Sequence, residues 1–204
     1  MEKMERIKVR NFMTLQKFAD EKKYRVVFDE AGAEAGIEVE GILTTFSLTN
    51  ENGFNFQSTS YDEGVDNYFI ANSLNVPCCL FHSDDSVQNS AGVVKELVKE
   101  DGGIRVTVSI PRFAYFYNWI KNAIDYGILQ GFSNCGSVEE GRVDENKNLV
   151  ISKFALLHVA LVSTPADITA RFKVENTTFT GFNSAQKESE NAEIQEVEDI
   201  YEIV

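Results

Sequence analysis

Residues 103–127, GIRVTVSIPRFAYFYNWIKNAIDYG, change hydrophobic period part-way along. Ile104, Val106, Val108 and Ile110 alternate with Arg105, Thr107 and Ser109, so their side chains fall on one face of an extended chain and read as a half-buried strand. Pro111 ends the alternation and suits the first turn of a helix. Phe113, Phe116, Tyr117, Ile120 and Ile124 then recur at helical spacing until Gly127 supplies a stop. The stretch predicts a strand followed by one amphipathic helix packed on a sheet.

Outward from this unit the pattern is again mostly strands. Tyr24 to Phe28, Ile37 to Phe46 and Val76 to His82 are β-rich on the N-terminal side. On the C-terminal side come Ile128 to Val138, a turn-like Gly141 to Asn148, and an apolar run from Leu149 to Val162 that closes before Pro165. Gly131 and Gly136 bracket Ser133, and glycine inside a strand-like run often marks a bulge or a close backbone approach. Residues 48–66, LTNENGFNFQSTSYDEGVD, are polar with two glycines and read as a long loop.

Composition limits the rest. A chain of 204 residues with 43% hydrophobic content fits one domain with tails, and a body of about 150 residues buries roughly 68–70% of its unfolded surface. Residues 1–23 mix charges with scattered apolar positions and read as an N-terminal arm. Residues 24–182 are expected to form the domain, and residues 183–204, with seven acidic residues against one lysine, read as an acidic, disordered tail. The net charge of -13 argues against nucleic acid, because phosphate binding needs clustered lysine and arginine. No apolar run approaches the ~18 residues of a membrane span, and Met1 to Arg10 lacks a signal-peptide pattern, so the expectation is a soluble intracellular protein. Cys78, Cys79 and Cys135 form no disulfide framework and read as small apolar strand residues.

The chain has two histidines, His82 and His158, each at the end of an apolar run, with Ser133 between them in sequence. Serine becomes a nucleophile when an imidazole takes its proton, and that imidazole needs a further group to fix its tautomer. The stretches VEGILTTF (39–46), VPCCLFHSDD (76–85), EDGGIRVTVSI (100–110), DYGILQGFSNCGS (125–137) and LLHVALVSTPA (156–166) together resemble the prohead maturation proteases of tailed bacteriophages, which are related in fold to the herpesvirus assembly proteases. The resemblance covers about 130 residues in the family's order. It implies a closed antiparallel β-barrel flanked by helices, a mainly β, herpesvirus-protease-like fold.

The resemblance further implies a serine endopeptidase with His82 as general base, Ser133 as nucleophile and His158 as the third member of a Ser-His-His triad. The phage branch carries an acidic residue at the third place, and Asn and Asp around the histidine where this chain has Phe81 and Ser83. Histidine at the third place is the choice of the herpesvirus branch. The implied substrates are major capsid protein, scaffold protein and the chain itself, inside an assembling prohead in the host bacterial cytoplasm, with a homodimer as a candidate assembly. No cofactor and no metal are called for. Backbone amides near Gly131 or after Pro165, or the side chain of Arg171, are candidate oxyanion donors. Three rival readings stay open: Cys135 as nucleophile, on the same strand face as Ser133; a metal site gathering His82, His158, Asp84 and a cysteine; and a non-enzymatic assembly factor on the same barrel.

Overall fold

The computed structural model describes residues 23–62, 75–83 and 87–173. The expected arm, the tail, Asp84 and part of the 48–66 segment lie outside the described residues. Within them are strands β1 (Arg25–Phe28), β2 (Glu34–Thr45), β3 (Phe54–Phe56), β4 (Pro77–Leu80), β5 (Ser90–Glu100) and β6 (Gly103–Pro111). Helix α1 (Tyr117–Asp125) follows, then β7 (Gly131–Val143) and β8 (Leu149–Val162). The described part is thus mostly β with one helix.

The alternation in 103–111 does what a period of two requires. Ile104, Val106, Val108 and Ile110 are buried in the core, while Arg105, Thr107 and Ser109 are half-buried between neighbouring strands. β6 pairs antiparallel with β2 on one side and with β5 on the other.

The helix is shorter than its sequence pattern predicts. Pro111 remains in β6 opposite Gly36, and the Arg112 N–H donates to Ala35 O at 2.8 Å, so strand pairing outlasts the proline. Two turns, Ala114 N–H to Pro111 O and Tyr117 N–H to Ala114 O, then redirect the chain. Phe113 is consequently left in solvent. α1 buries Tyr117, Ile120, Ala123 and Ile124, and the two isoleucines contribute about 1.5–3 kcal/mol each by removing apolar surface from water. Gly127 ends it at φ 68°, its N–H donating to Ile124 O at 3.1 Å. That left-handed conformation is one glycine adopts without a Cβ penalty.

The strands form one sheet in the order β1-β2-β6-β5-β4-β8-β3, with β7 paired to the other edge of β8. Two pairings, β4 with β8 and β3 with β8, are parallel, which corrects the wholly antiparallel expectation. The polar segment read as loop contains β3, and its Phe56 and Tyr61 pack with Phe154 at ring separations of 5.2 and 5.6 Å and with each other at 5.9 Å. The ladder of named strands does not close on itself. Residues 170–173 bond to both flanks: Ile42 N–H to Arg171 O and Lys173 N–H to Glu40 O on β2, Phe132 N–H to Ala170 O on β7, and Phe172 N–H to Gln130 O just before it. Among the described residues, no helix is long and apolar enough to cross a membrane.

Candidate active site

Three adjacent strands carry the site. β8 lies between β4 and β7, and its register sets Ala160 beside Cys79 of β4 and Ser133 of β7, while His158 sits opposite Cys135. Residues paired across a ladder share a face, as do residues two apart on one strand. Ser133, Cys135, His158 and Ala160 therefore point the same way, over a small apolar floor of Cys79, Ala160 and Val162.

His82 comes to this face from a turn. β4 ends at Leu80, two residues earlier than the sequence pattern implies, and Ser83 N–H closes the turn on Leu80 O at 2.9 Å. Phe81 and His82, its central residues, have φ of 51° and 61°. Two consecutive left-handed residues that are not glycine cost of order 1–3 kcal/mol each, so the surrounding contacts must hold them. The Phe81 N–H donates to Leu161 O at 3.1 Å, and its ring meets Trp119 of α1 at 6.3 Å. Strand end, turn and helix together aim the imidazole.

His82 Nε2 is 2.8 Å from Ser133 Oγ, and His82 Nδ1 is 3.2 Å from His158 Nε2. His158 is buried, 3% exposed, while His82 is exposed and Ser133 half-buried. All three residues singled out from the sequence therefore meet in one hydrogen-bonded row. Cys135 adjoins the row: its sulfur and one ring nitrogen from each histidine lie within 4.8 Å of one another. Cys78, by contrast, is fully buried, and burial first, then the neighbouring Cys79, pushes its thiol pKa up. It is the inert apolar strand residue expected.

The other candidates fare differently. Arg171 donates from Nε to Ile168 O at 3.1 Å and from Nη1 to Gln130 Oε1 at 2.9 Å. Burial lowers its pKa. It does not line the cleft beside Ser133, whose wall includes Thr44, Thr45, Asn134, Ala166 and Asp167. The Phe132 N–H, next to Gly131, is engaged by Ala170 O.

Two supports of the cleft were not foreseen. Asn134 Nδ2 donates to Thr44 Oγ1 at 2.5 Å and to Tyr61 OH at 2.7 Å, joining β7, β2 and the segment after β3. Burial pushes the Tyr61 hydroxyl pKa up, against the bonds from Thr44 and Asn134. Asp167 accepts from Thr45 N at 2.7 Å, Thr169 N at 2.9 Å and Thr169 Oγ1 at 2.6 Å. Only the second has a sequence signal, the Asp-x-Thr after Pro165, which suits an Asx turn.

This arrangement, mostly β with one helix against the sheet, has counterparts among solved structures. In particular, the bacteriophage T4 capsid assembly protease matches 70% of this chain and 90% of its own at a TM-score of 0.55 and 13% identity, which establishes the shared fold. KSHV protease, solved with a hexapeptide phosphonate inhibitor, matches 78% of this chain and 76% of its own at TM-score 0.43 and 12% identity. Varicella-zoster virus protease matches 74% and 72% at TM-score 0.44 and 11% identity. No family model matches the sequence, and no curated protein matches it.

Proposed function

We propose that the protein is a serine endopeptidase that cleaves phage capsid or scaffold proteins, and itself, during prohead maturation in the host cytoplasm. The observation that carries the reading is the row Ser133 Oγ, His82 Nε2, His82 Nδ1, His158 Nε2, with spacings of 2.8 and 3.2 Å at its two ends. Ser133 donates its proton to His82 Nε2 as Oγ attacks the scissile carbonyl, and His82 Nδ1–H donates to His158 Nε2 throughout. The imidazolium then gives the Nε2 proton to the leaving amine, and an acyl-enzyme remains on Ser133. Water repeats the sequence through the same base and releases the acid.

Ala166 and Asp167 line the cleft with Ser133, and in this reading their backbone amides are the oxyanion donors. They replace the Arg171 and Gly131 alternatives, whose neighbours are engaged elsewhere. Residues 170–173, bonded to β2 and beside β7, act as the strand that turns the open ladder into a barrel. The unit spans residues 24–182, and residues 1–23 and 183–204 are the self-cleavage regions. Exposed Trp119, Tyr115 and Tyr126 on and around α1 supply a contact for a homodimer.

A second imidazole orients less strongly than a carboxylate, and loss of the carboxylate's role in the aspartate-containing triad costs about 10⁴ in turnover. A slow enzyme suffices where enzyme and substrate share one shell at effective concentrations on the order of millimolar. The purified 204-residue chain is incubated and its intact mass followed. Loss of terminal segments that stops in Ser133→Ala supports the reading, while continued cleavage in that variant, with Cys135 intact, rejects the serine assignment.

A further inference from the structure

Cys135 has no part in the proposed relay, yet it faces His158 across the β7–β8 ladder and stands beside His82. One imidazole nitrogen from each histidine and a thiol are the donor set that zinc prefers. Tetrahedral Zn²⁺ with Zn–N near 2.0–2.1 Å places two ligand nitrogens roughly 3.3 Å apart. His82 Nδ1 and His158 Nε2 are already 3.2 Å apart. A sulfur ligand belongs roughly 3.5 Å from each nitrogen, and the Cys135 sulfur and one ring nitrogen from each histidine lie within 4.8 Å of one another, so side-chain adjustment on the order of an ångström would bring the three into a coordination set. His82 is exposed and gives the ion a way in, and His158 is held rigidly in the buried sheet. No other such group of His, Cys, Asp and Glu occurs among the described residues.

We infer that His82, His158 and Cys135 form a three-ligand zinc site that switches the relay off. The binding follows from the geometry alone, whereas its inhibitory effect rests on the peptidase reading above. On coordination the Cys135 thiol releases its proton to solvent, and His158 Nε2 offers to the metal the lone pair it otherwise offers to His82. His82 binds through Nδ1, so its one ring proton moves to Nε2. That nitrogen then donates to Ser133 Oγ instead of accepting from it, and the serine proton has nowhere to go. One Zn²⁺ is taken up and one proton released. The fourth coordination position stays open for water. Available zinc thus acts as a reversible brake read through the catalytic base, and Cys135 gives the brake its affinity.

The 204-residue chain, stripped of metal, is titrated with Zn²⁺ by calorimetry and with Co²⁺ by absorption spectroscopy. The expected results are one Zn²⁺ per chain and a thiolate-to-cobalt charge-transfer band. In Cys135→Ser the band vanishes and Zn²⁺ affinity falls by at least roughly 100-fold, while Ser133→Ala keeps both. Absence of saturable binding, absence of the band in the unaltered chain, or equal affinity in Cys135→Ser overturns the site. Equimolar Zn²⁺ is expected to stop peptide cleavage and a chelator to restore it; cleavage that persists with zinc bound overturns the switch. A chain that never cleaves but shows the cobalt band refutes the peptidase reading and leaves the site standing.

Discussion

His158 meets His82 edge to edge, Nε2 to Nδ1 at 3.2 Å, because β4 runs parallel beside β8 and the turn that ends it is tied back to Leu80 and to Leu161 of β8. The buried partner is the fixed one and the exposed partner the one it orients. His158→Gln keeps a polar side chain of similar reach but presents an amide to Nδ1. Turnover on a peptide spanning a self-cleavage site is expected to fall about 10²–10⁴-fold, with KM changed far less, because the residue acts on the base and not on the substrate. Unchanged kcat in a folded His158→Gln protein would remove it from the third position.

Ser133 Oγ, 2.8 Å from His82 Nε2, is predicted to react with a fluorophosphonate probe even without a peptide substrate, since the probe needs an activated hydroxyl. Peptide mapping is expected to find the adduct on Ser133 and on no other serine. In His82→Gln the labelling rate drops by roughly 10²–10⁴, the usual contribution of a positioned general base. An adduct confined to Cys135 would transfer the nucleophile to the thiol.

What was legible in the sequence follows from how local each signal is. β6 is legible because its alternation stays intact between two paired strands, and β8 because a long run paired on both edges is apolar almost throughout. The end of α1 was readable because Gly127 carries a positive φ that the sequence advertises. β5 was not read as a strand: Val93, Val94, Leu97 and Val98 are spaced like a helix face, and the register shift between Val94 and Glu96 is what lets that spacing lie in a sheet. The start of α1 was misjudged because Pro111 stays paired to Gly36. The meeting of His82, Ser133 and His158 was legible only through family resemblance. The nearness of Cys135 to both imidazoles, and of Asn134 to Tyr61, depends on strand register and on contacts distant in sequence.

Glu38 offers a test of what holds the far edge of the sheet. Its carboxylate, 8% exposed, accepts from Lys95 Nζ at 2.5 Å and from Arg25 opposite it on β1. Burial alone would raise its pKa, but the hydrogen bonds and charges of Lys95 and Arg25 outweigh it and hold the group below its ordinary value of 4.5. A depressed folded pKa means the stabilisation is complete above the unfolded value and is lost as pH falls through the folded one. Glu38→Gln is expected to cost about 1–2 kcal/mol at about pH 7, toward the low end for charged hydrogen bonds because both cations are largely in solvent. The difference from the unaltered chain should shrink as pH falls below the ordinary carboxyl value of 4.5 toward the lower folded one. Urea denaturation at several pH values measures it, and equal stability at neutral pH would show the two cations to be bystanders.

Gly131 begins β7, pairs with Val162 and bridges to Arg171. A Cβ there would run into the Ala170 carbonyl oxygen and the Pro165 ring. The first obstacle is backbone and cannot rotate away, so Gly131→Ala must push residues 170–173 off β7. Overpacking of this kind costs typically 1–3 kcal/mol. Gly127→Ala is the comparison: nothing stands within 4 Å of its added Cβ, and the penalty comes from φ 68° alone, about 1 kcal/mol. Melting temperature is therefore expected to fall further for Gly131→Ala. Hydrogen exchange locates the damage, because the Phe132 and Phe172 amides donate to Ala170 O and Gln130 O across that junction. They should lose protection in Gly131→Ala while the amides of β6 keep theirs. Ala166 and Asp167 occupy the link between β8 and this junction and line the cleft, so kcat should drop together with that protection. If the two amides stay protected, the segment is free to yield without leaving β7, and its proposed role in closing the barrel beside the cleft fails.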